Sequence, residues 1–86
     1  MVTKNVVVRN KTGIHARPAS DLVKLCRTFE CDINLVARGT AYNAKAIINL
    51  LSAGIVKGTE ITVQADGEQE QRALDEVVSF ISNLTE

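Results

Sequence analysis

Gly13-Ile14-His15-Ala16-Arg17-Pro18-Ala19-Ser20 decides how this chain of 86 residues is read. On its N-terminal side Thr3–Arg9 is rich in valine, with Val6 and Val8 on one face and Val7 on the other, the pattern of a strand. Asn10-Lys11-Thr12-Gly13 then supplies turn residues. On its C-terminal side Ala19, Leu22, Val23, Cys26 and Phe29 recur at helical spacing, while Asp21, Lys24 and Arg27 fall elsewhere. Pro18 belongs in the first turn of a helix, where its missing N–H costs nothing, and would be poorly tolerated later. A strand therefore gives way to a helix within a residue or two of His15, the single histidine of the chain.

Further along, Cys31, Ile33, Leu35 and Ala37 alternate with Asp32, Asn34 and Val36 as a half-buried strand. Arg38-Gly39 reads as a tight reversal into the short strand Thr40-Ala41-Tyr42. Residues 46–53 form a short helix closed by Gly54. Ile61, Val63 and Ala65 line the inner face of a last strand that stops at Asp66-Gly67. Ala73, Leu74, Val77, Val78, Ile81 and Leu84 repeat at intervals of three to four residues, an amphipathic helix. The order is β-α-β-β-α-β-α, and no strand is apolar throughout. This pattern predicts an α+β fold whose sheet is open to water on one face and covered by helices on the other. A chain of this length makes one domain, 1–86, with one modest core and little room for an enclosed substrate cavity.

Ten basic and ten acidic residues balance, yet they are segregated. Residues 1–59 carry nine Lys and Arg against Asp21, Glu30 and Asp32; residues 60–86 carry Arg72 against seven acids. Overall neutrality and only three aromatic residues argue against a nucleic-acid binder. The basic bias around His15 suits docking to acidic protein surfaces or handling a phosphate; a solvated face serving solubility is the alternative. No apolar stretch approaches the ~20 residues of a membrane span, and residues 1–15 lack the basic-then-apolar pattern of a signal peptide. Cys26 and Cys31 require no disulfide, so a reduced cytoplasmic protein is expected.

A lone His at an element boundary is by default an incidental surface residue or a cap. Three neighbours point elsewhere. The opening turn of a helix offers unpaired N–H groups and the positive end of the dipole to an anion. Arg17 can add a bidentate guanidinium. Ala16 and Ala19 leave the approach open, and Gly13 permits a backbone that turns the ring outward. An imidazole held neutral there has a ring nitrogen free to attack phosphorus and later to release the group in line to another nucleophile. A metal site is not indicated: Cys26 belongs to the apolar stripe, and no carboxylate pattern supports one histidine and two cysteines. Nor do Ser20 and Asp21 align with His15 as a hydrolytic triad. No nucleotide-binding glycine loop and no cofactor motif occurs.

In the short helix Ala46, Ile47, Ile48, Leu50, Leu51 and Ala53 leave only Asn49 and Ser52 as polar positions. Two turns of helix bury about one face, so some of Ile47, Ile48 and Leu51 should be exposed unless the helix is wedged inward. Exposed, they make an apolar docking centre with a basic rim of Lys24, Arg27 and Lys45.

With these motifs the sequence resembles, over essentially its whole length, the histidine-containing phosphocarrier family, HPr, of the bacterial phosphoenolpyruvate-dependent sugar phosphotransferase system. Gly13-Ile14-His15-Ala16-Arg17-Pro18-Ala19 is the specific match, and Asn43-Ala44-Lys45-Ala46-Ile47-Ile48 with Leu50-Leu51-Ser52-Ala53-Gly54-Ile55 is the second. The resemblance implies an open-faced β-sandwich of four antiparallel strands covered on one face by three helices. It implies that His15 takes a phosphoryl group on Nδ1 from enzyme I and gives it to IIA domains of sugar permeases, with no cofactor and without turning over a small molecule. Arg17 and the amides of Ala16 and Arg17 would steady the phosphoryl group. Ser20, Lys24, Arg27, Ile47, Ile48 and Leu51 would form the surface that partners share, on a chain expected to be monomeric and not inserted in a membrane. In Gram-positive relatives the position of Ala46 is a serine phosphorylated by a dedicated kinase; Ala46 has no hydroxyl, so that switch cannot operate there. The rival reading is an interaction protein that uses the Ile47/Ile48/Leu51 patch to regulate a kinase or repressor, with His15 phosphorylation as input.

Overall fold

Alternation along the strands sets the layers. The computed structural model describes residues 1–85, in which strands β1 (Val2–Val7), β2 (Asp32–Ala37), β3 (Thr40–Asn43) and β4 (Glu60–Asp66) make one antiparallel sheet in the order β1-β4-β2-β3. Ile33, Leu35 and Ala37 of β2 and Ile61, Val63 and Ala65 of β4 are buried on one face. Their alternates Asn34, Val36, Thr62 and Gln64 are half-buried on the other, where the Thr62 hydroxyl donates to Asn5 Oδ1 across strands at 2.7 Å. The register, with Leu35 opposite Val63 and Val6 opposite Ile61, keeps every inner residue on the helical side.

Three helices cover that side: α1 (Ala16–Cys26), α2 (Ile47–Ser52) and α3 (Glu70–Ser82). Pro18, Ala19, Leu22, Val23 and Cys26 of α1 and Ala73, Leu74, Val77 and Ile81 of α3 are buried, forming with the inner sheet face one continuous core. Each fully buried large aliphatic side chain stabilises the fold by ~1.5–3 kcal/mol relative to exposure. The α+β sandwich with a water-facing sheet is therefore as the alternation predicts.

The element ends differ in instructive ways. Helix α1 stops at Cys26, not at Phe29; the Thr28 hydroxyl bonds the Leu25 carbonyl at 2.7 Å and the Phe29 N–H the Cys26 carbonyl at 3.2 Å, a tightened last turn that still carries Phe29 into the core. Val8 lies past the end of β1, yet it is buried and exchanges hydrogen bonds with Gly58 and Thr59. Ala46 and Ala53 are the caps of α2 instead of its first and last turns, and Gly54 follows at φ 61, the left-handed residue that ends a helix. Cys26 and Cys31 are both buried free thiols, and burial pushes Cys26 up to about 12, so it stays protonated at neutral pH.

Candidate functional site

The loop between β1 and α1 is held from below. Buried Asn10 donates from its side-chain amide to the Gly13 carbonyl at 2.8 Å, and the Gly13 N–H returns to the Asn10 carbonyl at 3.2 Å. Gly13 sits at φ 68 directly on the segment after α2: a Cβ there would stand 2.3 Å from the Ile55 carbonyl oxygen and 2.7 Å from Val56 Cα. Only glycine allows both the dihedral and the approach. Next, the Ile14 N–H donates to the Ile55 carbonyl at 3.0 Å, and the Ile14 side chain enters the core. Extended backbone alternates its sides, so burying Ile14 turns His15 outward, and His15 is exposed.

His15 is the N-cap of α1, with φ −109 and ψ −168, and its side chain makes no capping hydrogen bond. Its carbonyl accepts the Ala19 N–H at 2.8 Å, the first bond of the helix. Pro18 has no N–H to offer, so the amides of Ala16 and Arg17 are the donors that helix geometry leaves without an internal acceptor. Both residues are exposed, and no acid occupies the first turn to compete for the positive end of the helix. Arg17 joins no ion pair among the described residues. An exposed imidazole, two outward amides and an uncommitted guanidinium thus meet at one helix start, an arrangement that can hold a tetrahedral anion beside a ring nitrogen. Ala19 is the exception to the expected open approach: it is fully buried in the core, so Ala16 alone keeps the entrance small.

Beside α1 lies α2, with Leu50 its buried residue. Ile48 is 76% exposed and Leu51 38%, while Ile47 is partly buried against the core. The expected apolar surface is present, but Ile48 and Leu51 carry it, and Ile47 supports it from beneath. Val56, beyond the end of α2, is a further exposed apolar residue at 59%, and its Cα lies against Gly13. Nothing local in the sequence places Val56 there, because its neighbour is 43 residues away along the chain. Of the flanking residues, Lys24 and Arg27 are exposed and Ser20 is half-buried. Arg27 Nε donates to the Lys45 carbonyl at 3.0 Å, and Lys45 Nζ donates to the Phe29 carbonyl at 2.6 Å. Part of the expected basic rim therefore ties α1 to the loop before α2.

Among the described residues no three His, Cys, Asp or Glu side chains converge on a metal position, and no enclosed cavity is present. A reacting group must meet His15 on open surface.

The comparisons with known proteins agree with this geometry. Residues 2–83 match the family model described as the PTS HPr component phosphorylation site. The chain is 34% identical over 84 residues to the phosphocarrier protein HPr of Vibrio cholerae, covering 98% of this chain and 99% of that protein. The crystal structure of HPr-C-His from Thermoanaerobacter tengcongensis superposes with a TM-score of 0.92 at 32% identity, over 95% of this chain and 92% of that one. That of Crh, the HPr-like protein of Bacillus subtilis, described as a swapped, intertwined dimer, superposes at 0.79 with 40% identity, over 100% and 99%. With its four-stranded open sheet, three covering helices and exposed histidine at the start of α1, the chain belongs to the HPr family, the phosphocarriers of the phosphotransferase system.

Proposed function

We propose that His15 is the phosphoryl acceptor, charged by the phosphohistidine of enzyme I and discharged to IIA domains of sugar permeases. The observation that carries this reading is the pinned extended residue: burying Ile14 holds the His15 ring outward beside the free amides of Ala16 and Arg17. In the forward step a lone pair on His15 Nδ1 forms the new N–P bond. The donor's N–P bond breaks in line, and its electron pair returns to the leaving imidazole. Donation to the next protein repeats this with His15 as the leaving ring. Arg17 and the two amides offset the phosphoryl charge in both steps. The first turn of α1 holds no acid that could activate water beside His15, which suits a carrier.

Ile48 and Leu51, backed by Ile47 and flanked by Ser20, Lys24 and Arg27, form the docking surface for both partners. The chain works as a cytoplasmic, single-domain monomer without a cofactor; β1 is paired along its six residues with β4 of its own chain. The test is incubation with phosphoenolpyruvate and catalytic enzyme I, followed by mass spectrometry. One acid-labile phosphate is expected on the wild type and none on His15→Ala, whose circular dichroism should be unchanged. A phosphate retained by His15→Ala would move the acceptor elsewhere.

A further inference from the structure

The turn between β2 and β3 holds a residue that turn chemistry does not explain. Ala37 pairs with Thr40, so Arg38 and Gly39 form a two-residue hairpin loop with both residues at positive φ, 51 and 81. Such a loop favours Asn, Asp or Gly at its first position, because a left-handed backbone crowds a longer side chain. Arg38 fills it with one of the longest. Its guanidinium leaves the turn and donates through Nη2 to the carbonyl of Ala53, the C-cap of α2, where a cation also complements the negative end of the helix. The same nitrogen lies 3.9 Å from where a Cβ on Gly54 would stand.

The segment after Ala53 is the floor of the phosphoryl site. Gly54 turns the chain, Ile55 accepts the Ile14 N–H at 3.0 Å, and Ile55 and Val56 press on Gly13. We propose that Arg38 is a positioning residue for phosphoryl transfer: by clamping the end of α2 it fixes the Ile55 carbonyl, and through the Ile14 N–H it fixes the backbone of His15. The inference rests on His15 as the acceptor. It also gives the hairpin Arg a task that an Asn could not perform, since an Asn side chain is too short to leave the turn for Ala53.

Arg38→Asn separates the two roles. Asn suits the left-handed position, so the variant keeps its fold while losing the clamp. Its Ile14 N–H should exchange with solvent about tenfold faster, with the change confined to residues 13–15 and 53–56. Transfer from enzyme I should slow at least about threefold at saturation, with the half-saturating concentration unchanged, because alignment is altered and docking is not. Arg38→Lys, which can still reach the Ala53 carbonyl, should restore most of both. Unchanged exchange and transfer in Arg38→Asn would overturn the proposal. So would faster exchange spread over the whole sheet, which marks plain loss of hairpin stability. If the wild type accepted no phosphate, the acceptor reading would fall, yet exchange at Ile14 would still decide whether Arg38 holds the loop.

Discussion

Helices α1 and α2 lie side by side and offer opposite things to a partner. Helix α1 offers its end: eleven residues with a stripe buried from Pro18 to Cys26 anchor it, and its first amides face water beside His15. Helix α2 offers its side: six residues bury Leu50 and leave Ile48 and Leu51 outside. Neither start has a side-chain cap, since the N-cap of one is His15 and that of the other Ala46. The same local omission therefore has two meanings. At α1 the uncapped amides follow a loop that Gly13, Ile14 and Asn10 hold in place, and they serve the proposed phosphoryl site. At α2 nothing is aimed, and what projects is apolar side chain.

The largest effect should come from loosening the hold on the end of α1. Gly13→Ala puts a methyl group 2.3 Å from the Ile55 carbonyl oxygen and asks an L-residue to sit at φ 68. Stability should fall by about 1–3 kcal/mol, and transfer by at least about tenfold as His15 shifts. Gly58→Ala is the matched control: it shares the positive φ but meets nothing within 4 Å. It should cost about 1 kcal/mol and leave transfer largely intact. Equal stability and equal transfer in the two variants would break the claim that the loop is seated by close approach.

The side of α2 can be split in the same way. Ile48→Glu alters an exposed residue, so thermal stability should move by less than ~0.5 kcal/mol while affinity for enzyme I drops roughly tenfold. Ile47→Glu drives a charge against the core and should cost about 1–3 kcal/mol. Calorimetric titration and melting of both variants would show whether docking and support are divided between adjacent isoleucines. Matching losses of stability would place Ile48 in the core.

The sequence makes local structure legible and leaves distant contacts hidden. The buried stripe of α1, the alternation of β2 and β4, the hairpin at Arg38-Gly39 and the outward His15 all follow from spacing and turn chemistry. Periodicity overran the end of α1 because Phe29 stays on the buried side after the helix has tightened and stopped. The same spacing puts Ala19 on the buried stripe with Leu22, Val23 and Cys26, and that burial overrides the second expectation of Ala19, as a small residue at the entrance. The contacts of Ile14 and Gly13 with Ile55 and Val56, and that of Arg38 with Ala53, join residues far apart in the chain. No pattern within one element encodes them. Lys45 reads as a rim charge in sequence, yet its amine is committed to the Phe29 carbonyl.

The smallest effect tests the start of α2. Ala46 is the N-cap, extended at φ −120 and ψ 109, with no side-chain acceptor for the N–H groups that come after it. Ala46→Ser supplies one, since the serine oxygen at an N-cap takes the second or third amide of the helix, here Ile48 or Asn49. Caps of this kind stabilise by about 1 kcal/mol, worth roughly 4–8 °C in melting temperature for a domain of this size. The gain should sit at the low end. Asn49 already reaches back to accept the Asn43 N–H at 2.5 Å, so the entry to α2 is partly braced. Phosphoryl acceptance at His15 should not change, because the floor of that site is fixed by the other end of the helix, at Ala53 to Val56. A melting temperature that stays put would mean that the brace from Asn49 does all that a cap could do. A change in transfer at His15 would mean that the two ends of α2 are coupled, and that α1 and α2 are not independent surfaces.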